Sequence, residues 1–274
     1  MPTMTGASVR EALDSAVDAL RAVGVEDPRL DAELLLAEAS GWGRAALVAD
    51  PAAEVPPAAG RSFGELVRRR LRREPVAYIL GRKGFRSLEL AVDRRVLVPR
   101  PETELLVELA VELKPASVLD VGTGSGAIAL AIADELPGCE VTATDTSPAA
   151  LEVAEANAER LGLADRVRFL DGTLPEAGEF DLVLANLPYV AEREWPSLQP
   201  EVTQWEPREA LLAGPDGLDA YRVLFAVRIA AAVVAVEIGE GQDPSVEQLM
   251  RDACFEQTET RRDLAGIVRV VVGR

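Results

Sequence analysis

The sequence predicts an α/β protein, an open sheet with helices on both faces, preceded by a small helical bundle. Three observations carry this expectation. From Ser117 onward, short apolar runs alternate with amphipathic stretches of helical length. Three alternating glycines, Gly122, Gly124 and Gly126, join the first of these apolar runs to its following helix. Up to about residue 80, by contrast, the apolar period is helical apart from a Pro- and Ala-rich stretch. The 274 residues leave room for one large or two modest domains at roughly 100–200 residues each.

Taken in order, residues 8 to about 48 read as helical. Val9, Leu13, Val17 and Leu20 recur at helical spacing, as do Leu30, Leu34, Leu35 and Leu36, with Leu47 beyond. Ser8 and Asp27-Pro28 are natural helix starts. Residues 50–60, rich in Pro and Ala, read as a linker, and a further helix is expected over about 62–73. Residues 81–99 partly alternate, with Phe85, Leu88, Leu90, Val92, Val96 and Val98 apolar, as in a hairpin. Pro101-Glu102-Thr103-Glu104 then opens a helix through Leu113. Strands are expected over 117–122, 140–146, 166–170, 180–185 and 233–238. Helices are expected over 127–136, 147–161, 218–230 and 244–253, and two strands close the chain. Near Ala231 a helix meets a strand with no Gly or Pro between them, where such a turn normally carries a breaker.

Composition removes whole classes of chemistry. Histidine is absent, which excludes Ser-His-Asp triads, imidazole proton shuttles and nearly all catalytic zinc sites. Cys139 and Cys254 form neither a C-x-x-C pair nor a disulfide framework, as expected in a reducing cytoplasm. No apolar run reaches the ~18–20 residues that span a bilayer, and the first ten residues show no secretory pattern. With 29 basic and 46 acidic residues the net charge is −17, unfavourable for general nucleic-acid binding. Residues 61–100 go against this trend, with 12 basic and 4 acidic side chains, net +8, which leaves −25 on the rest. The run Arg68, Arg69, Arg70, Arg72 and Arg73 reads either as a solvated helix face or as a docking surface for a partner.

The strand–loop–helix Val118-Leu119-Asp120-Val121-Gly122-Thr123-Gly124-Ser125-Gly126-Ala127 carries the first functional signal. Glycines let the backbone pass close to a ligand, and a helix N-terminus offers free N–H groups. Asp145 ends the next strand, 19 residues past Gly126, where a carboxylate can accept hydrogen bonds from both hydroxyls of a ribose. The pair indicates an adenosine-bearing ligand. Gly122, Gly124 and Ala127 also fit the dinucleotide pattern, so this loop alone leaves a nicotinamide cofactor open.

The segment Asn186-Leu187-Pro188-Tyr189 ends the fourth strand, on the carboxyl edge where α/β sheets bind ligands. An amide or exocyclic amine is a poor nucleophile because its lone pair is delocalised. Two acceptors can hold its N–H groups and turn the nitrogen toward a methyl donor. The Asn186 side-chain oxygen and the Leu187 backbone carbonyl can be those acceptors. Pro188 biases Leu187 toward an extended backbone, and Tyr189 can pack on the planar target. Such positioning catalysis needs no histidine.

On these residues the chain resembles the HemK/PrmC-type protein-glutamine N-methyltransferases. The likeness extends to Ala77-Tyr78-Ile79-Leu80-Gly81, Val98-Pro99-Arg100-Pro101-Glu102-Thr103-Glu104 and Glu237-Ile238-Gly239. The resemblance implies a class I S-adenosylmethionine-dependent methyltransferase, with a Rossmann-like seven-stranded sheet over 101–274. It implies a hairpin linker over 81–100 and a helical N-terminal domain over 1–80 that docks the acceptor. It implies S-adenosylmethionine as donor, no metal, and transfer to the glutamine amide of the Gly-Gly-Gln tip of class 1 peptide chain release factors. By position, Gly122, Thr123, Gly124, Ser125 and Gly126 would cradle the methionine part and Asp145 the ribose. Asp171 or Leu174 would meet the adenine, and Asn186 would contact donor and acceptor, with Leu187, Pro188 and Tyr189 completing the acceptor site.

The chain departs from the family pattern at three places. Leu187 replaces the first proline of Asn-Pro-Pro-Tyr, the acidic residue after the third strand aligns near Thr173, and a Pro-Gly-Gly-like turn is missing near Ala231. A ribosomal-protein glutamine methyltransferase and a release-factor-binding scaffold without turnover are the alternatives. An rRNA adenine dimethyltransferase, which shares Asn-Leu-Pro-Tyr, fits the acidic charge poorly. The expected molecule is a cytoplasmic monomer with no stable nucleic-acid or membrane binding.

Overall fold

The computed structural model describes residues 7–175, 179–227 and 230–274. The chain divides into two compact units, Met1–Gly81 with Pro200–Trp205, and Arg82–Gln199 with Glu206–Arg274.

The helical unit contains α1 (Val9–Ala22), α2 (Pro28–Ser40), α3 (Arg44–Ala49), α4 (Pro57–Leu71) and α5 (Val76–Leu80). The short helix Pro200–Trp205, α9 in chain order, completes it. Ser8 starts α1 through a reciprocal capping box with Glu11, which satisfies backbone N–H groups that the first turn leaves unpaired. Leu13, Leu20, Leu35, Leu36 and Leu47 lie in its core, whereas Leu30 is exposed. The expected linker over 50–60 is only partly irregular. α4 begins at Pro57, because proline loses no helical hydrogen bond in the first turn, and Ala59 and Phe63 then face the core.

The arginine run divides: Arg68 and Arg72 are exposed, whereas Arg69, Arg70 and Arg73 are drawn into the unit. Arg70 is buried, with Nε 2.7 Å from Asp31 and Nη2 2.6 Å from Glu201. Arg73 also pairs with Glu201, at 2.7 and 2.5 Å, and donates to the Val23 carbonyl. Arg69 forks onto Glu74 and reaches the Tyr78 and Ile79 carbonyls. Buried charges persist only when paired, and Arg69, Arg70 and Arg73 find that pairing inside the unit. Asp31 shows the strain of burial, which raises its pKa against the opposing pull of Arg70.

The second unit opens with an antiparallel hairpin, β1 (Arg82–Phe85) and β2 (Leu88–Ala91). The hairpin is shorter than the alternation over 81–99 suggests. Val92, Val96 and Val98 are buried without forming a strand. A 3-10 turn, Pro101–Thr103, leads into α6 (Glu104–Leu113). There follow β3 (Ser117–Val121), α7 (Ala127–Glu135), β4 (Glu140–Asp145), α8 (Pro148–Leu161), β5 (Val167–Asp171) and β6 (Phe180–Ala185). α10 (Asp219–Ala226), β7 (Ala231–Glu237), α11 (Asp243–Asp252), β8 (Thr258–Arg262) and β9 (Val268–Gly273) complete the unit.

The seven strands run β5-β4-β3-β6-β7-β9-β8, with β9 antiparallel to both neighbours and the other pairings parallel. The central strands are apolar on both faces because helices cover both. Val118, Leu182, Leu184 and Ala235 join one core with α6 and α7, while Leu119, Val183, Val234 and Val236 join the other with α10 and α11. The expected helix over 218–230 stops at Ala226, and β7 begins at Ala231, two residues before expectation. Residues 228 and 229 of that expected helix lie outside the described residues, as do residues 1–6 of the N-terminal expectation.

Glu201→Ala removes one acidic partner from two poorly exposed arginines and is expected to destabilise the protein by roughly 3 kcal/mol in urea unfolding. Arg68→Ala, at an exposed pair 4.0 Å apart, should stay within about 0.5 kcal/mol of wild type. Equal effects would contradict an internal role for the run.

Candidate active site

Register brings the two motifs together. Val121 of β3 pairs with Thr144 of β4 on one side and Ala185 of β6 on the other. The chain therefore leaves all three strands at one edge, with Gly122, Asp145 and Asn186 beside one another. A cavity of about 480 Å³ opens there, and its lining includes Gly122, Gly124, Asp145, Thr173, Asn186 and Pro188.

The three glycines are required for different reasons. All have positive φ, +76°, +57° and +84°. A Cβ on Gly122 would come 3.2 Å from Leu187 Cδ2, and one on Gly126 would come 2.8 Å from Leu130 Cδ1. A Cβ on Gly124 would meet nothing within 4 Å. Gly126 thus serves helix packing and does not line the cavity, whereas Gly124 presents bare backbone to it. Thr123 and Ser125 line it as well. Asp145 holds the loop, with Oδ2 accepting from Gly124 N and Oδ1 from Ser147 N, both at 2.9 Å.

At the end of β5 the cavity wall is Gly172 and Thr173. Asp171 is exposed, and Leu174 packs against the apolar core; neither lines the cavity. The Thr144 hydroxyl, 2.8 Å from the Thr173 carbonyl, fixes this wall.

Asn186 Nδ2 donates to Thr103 Oγ1 at 2.9 Å. Among the described residues, neither Asn186 Oδ1 nor the Leu187 carbonyl accepts a hydrogen bond, so both remain available as acceptors. The Leu187 side chain is buried in the core beneath Gly122. Tyr189 does not line the cavity. Its carbonyl accepts from Gln242 Nε2 at 2.9 Å, and its hydroxyl lies 3.5 Å from Glu237 Oε1. Burial and the charge of Glu237 push the Tyr189 phenol well above its usual range.

Two buried carboxyls flank the edge. Asp120, at the loop's base, accepts from Thr123 Oγ1 at 2.6 Å and from Ala129 N at 3.2 Å through one oxygen. Its Oδ1, like Glu237 Oε2, is buried without a hydrogen bond among the described residues. Burial raises the pKa of each to about 7.

Two supporting residues escaped the sequence reading. Asn157 on α8, fully buried, bonds both backbone groups of Ala91 and the Ser125 carbonyl, tying hairpin to glycine loop. Glu206 bonds Val98 N at 3.2 Å and Arg100 Nη2 at 2.6 Å, holding the irregular segment after the hairpin. A polar residue at a buried helical position was the only available signal for Asn157. No local pattern marks Glu206.

Among the described residues no cluster of His, Cys, Asp or Glu could hold a metal ion. The edge therefore offers an acidic residue, exposed loop backbone and two open acceptors. Such a site can bind a ribose-bearing ligand and orient an N–H nucleophile.

Residues 11–81 match the family described as PrmC N-terminal domain, and residues 118–205 match the one described as Methyltransferase domain. The release factor glutamine methyltransferase of Caulobacter vibrioides is 41% identical, covering 96% of this chain and 95% of its own. That of Moorella thermoacetica is 43% identical, covering 94% and 95%. Among solved structures, the hMettl16 catalytic domain in complex with a MAT2A 3′UTR hairpin superposes with a TM-score of 0.56. The match is 14% identical and covers 67% of this chain and 74% of that one, a likeness of fold alone.

Asp120 provides a pH test. Its folded pKa, raised above the unfolded value, means that the native state holds the proton more tightly. Stability from this group is full below about pH 4 and is lost as pH rises through about 7. Asp120→Asn keeps an acceptor for Thr123 and cannot ionise, so its Tm should fall less than wild type between pH 5 and 8. Parallel Tm curves would refute the assignment.

Proposed function

This chain belongs to the release factor glutamine methyltransferase family, and we propose that it methylates the side-chain amide nitrogen of the glutamine in the Gly-Gly-Gln motif of class 1 peptide chain release factors. It is an S-adenosylmethionine-dependent methyltransferase. The observation that most supports the acceptor is likeness over nearly the full length to relatives of that activity, including the N-terminal domain.

The residues at the edge suit the donor. Gly124 leaves room for close backbone approach, Asp145 retains lone pairs for two ribose hydroxyls, and the cavity of about 480 Å³ falls in the range of cofactor sites. When bound, the donor supplies an electrophilic methyl on a sulfonium. Gly122, Thr123, Gly124 and Ser125 would hold its methionine part, and Gly172 and Thr173, which line the cavity where Asp171 and Leu174 do not, would meet the adenine. Asn186 Oδ1 and the Leu187 carbonyl accept the two N–H bonds of the glutamine amide and turn its lone pair toward the methyl. The donor would supply the methyl for the new N–C bond and leave as its thioether when the S–C bond breaks, with the amide proton passing to water. Leu187 fits because the role needs only its carbonyl, while its side chain fills space under Gly122.

The helical unit docks the release factor. Arg69, Arg70 and Arg73 contribute through internal pairing rather than by contacting the acceptor. The enzyme works as a cytoplasmic monomer. The net charge of −17 disfavours nucleic acid, and no described helix is long and apolar enough to cross a membrane.

Mass spectrometry of the Gly-Gly-Gln peptide, after incubation of a release factor with this protein and S-adenosylmethionine, is expected to show one added methyl on the glutamine. No gain despite donor binding would overturn the acceptor. Asn186→Ala should lower kcat by at least ~100-fold with donor affinity largely retained, whereas Asp145→Ala should chiefly weaken donor binding, roughly 10-fold or more. Near-normal turnover in the first, or unchanged donor affinity in the second, would refute that role.

A further inference from the structure

We propose that Gln242 is a positioning residue for the acceptor: its side-chain amide clamps the Tyr189 carbonyl and so fixes the turn that carries the Leu187 carbonyl. The proposal rests on the functional reading above and names a side chain that does not line the cavity.

The Leu187 carbonyl lies past the end of β6 and accepts no hydrogen bond among the described residues. An unbonded carbonyl keeps one direction only when the chain on both sides of it is held. Upstream, Ala185 pairs with Val121 and Val236. Within the turn, the Pro188 ring locks its own φ and confines Leu187 ψ. The Leu187 side chain packs beneath Gly122, but no ring restrains its φ, so the turn also needs a hold downstream.

Gln242, the residue before α11, supplies it. Its Nε2 donates to the Tyr189 carbonyl at 2.9 Å and to the Gly217 carbonyl at 3.4 Å, and its Oε1 accepts from Gly239 N at 2.9 Å. Both amide hydrogens meet carbonyls and the oxygen meets an N–H, so the partners fix which way the amide points. One side chain thereby ties together the segments after β6, before α10 and after β7. Two glycines make room for it. A Cβ on Gly217 would lie 2.4 Å from the Tyr189 carbonyl oxygen and 2.8 Å from Gln242 Nε2. A Cβ on Gly239 would lie 3.1 Å from Gln242 Oε1 and 3.2 Å from Tyr189 Cδ2. The peptide unit between Tyr189 and Val190 is gripped from both sides, because Val190 N donates to the Leu211 carbonyl at 2.9 Å. With one of these two bonds the peptide plane can rock about the other; with both it cannot. An apolar side chain at 242 would leave the Tyr189 carbonyl without this donor, and its peptide would turn toward water, carrying Pro188 and the Leu187 carbonyl with it. Gln242 makes no hydrogen bond to the glycine loop or to Asp145, so donor binding does not depend on it.

The test compares the full-length protein with Gln242→Met, which keeps the side chain's length without its polar atoms, and Gln242→Ala. Gln242 is only half-buried, so neither change empties the core. The readouts are kcat on a release factor, the Kd for S-adenosylmethionine, and the NMR signal of the Tyr189 carbonyl. Labelling tyrosine carbonyls with 13C and valine with 15N isolates that signal, because Tyr189-Val190 is the one Tyr-Val peptide in the chain. Both variants should lower kcat ~10–100-fold with donor Kd within about 3-fold of wild type. The Tyr189 carbonyl signal should move upfield in both as it loses a hydrogen-bond donor. Wild-type kcat in Gln242→Met, an unmoved Tyr189 signal, or a donor Kd that weakens as much as kcat falls would overturn the clamp. A wild-type protein that leaves the release factor unmethylated would instead overturn the acceptor, and the Tyr189 signal would still decide whether Gln242 holds the turn.

Discussion

The in-register parallel pairing of β3 with β4 and β6 is the constraint on which the site depends. Because Val121 faces Thr144 and Ala185, three chain segments leave the sheet at one level. Parallel neighbours point their carboxyl ends the same way, so strand ends far apart in sequence converge without any long-range side-chain contact. A shift of one residue in β6 would turn Asn186 to the other face and separate it from Thr103. Apolar positions of β3, β4 and β6, buried under helices on both faces, hold the register.

Around that edge the molecule tolerates several buried polar groups. Asp120 supports the glycine loop from beneath, Asn157 clamps the same loop to the hairpin, and Glu206 holds the segment leading to Thr103. Each carries hydrogen bonds that irregular backbone cannot make for itself. Asp120 and Glu237 retain one unpaired oxygen apiece, and both are displaced toward neutrality. Asp120, Asn157 and Glu206 spend this polar burial on backbone and loops that are neither helix nor strand but must still be rigid. The two acceptors of the site gain their precision from this scaffold.

Much of this was legible in the residues. The glycine spacing, Asp145 and the Asn186–Tyr189 run mark the edge because their chemistry is local: a turn, a strand end, a proline-restricted dipeptide. The functional meaning of the arginine run was not legible. Arg70 meets Asp31 and Glu201, partners 39 and 131 positions away, so no window of sequence distinguishes a solvated face from an internal network. The residues expected on the adenine side, Asp171 and Leu174, do not line the cavity, for a similar reason. Where the chain turns after β5 decides that Thr173, not Asp171, meets the cavity.

By itself the sequence determined the order of elements, the glycine loop, the Asn186–Tyr189 turn at a strand end and the exclusion of imidazole chemistry, because periodicity and turn chemistry act over a few residues. Only the tertiary structure decided which polar side chains face one another. Thr103 and Asn186 come from separate segments, and their hydrogen bond exists only once the sheet register has brought the end of β6 beside the turn before α6.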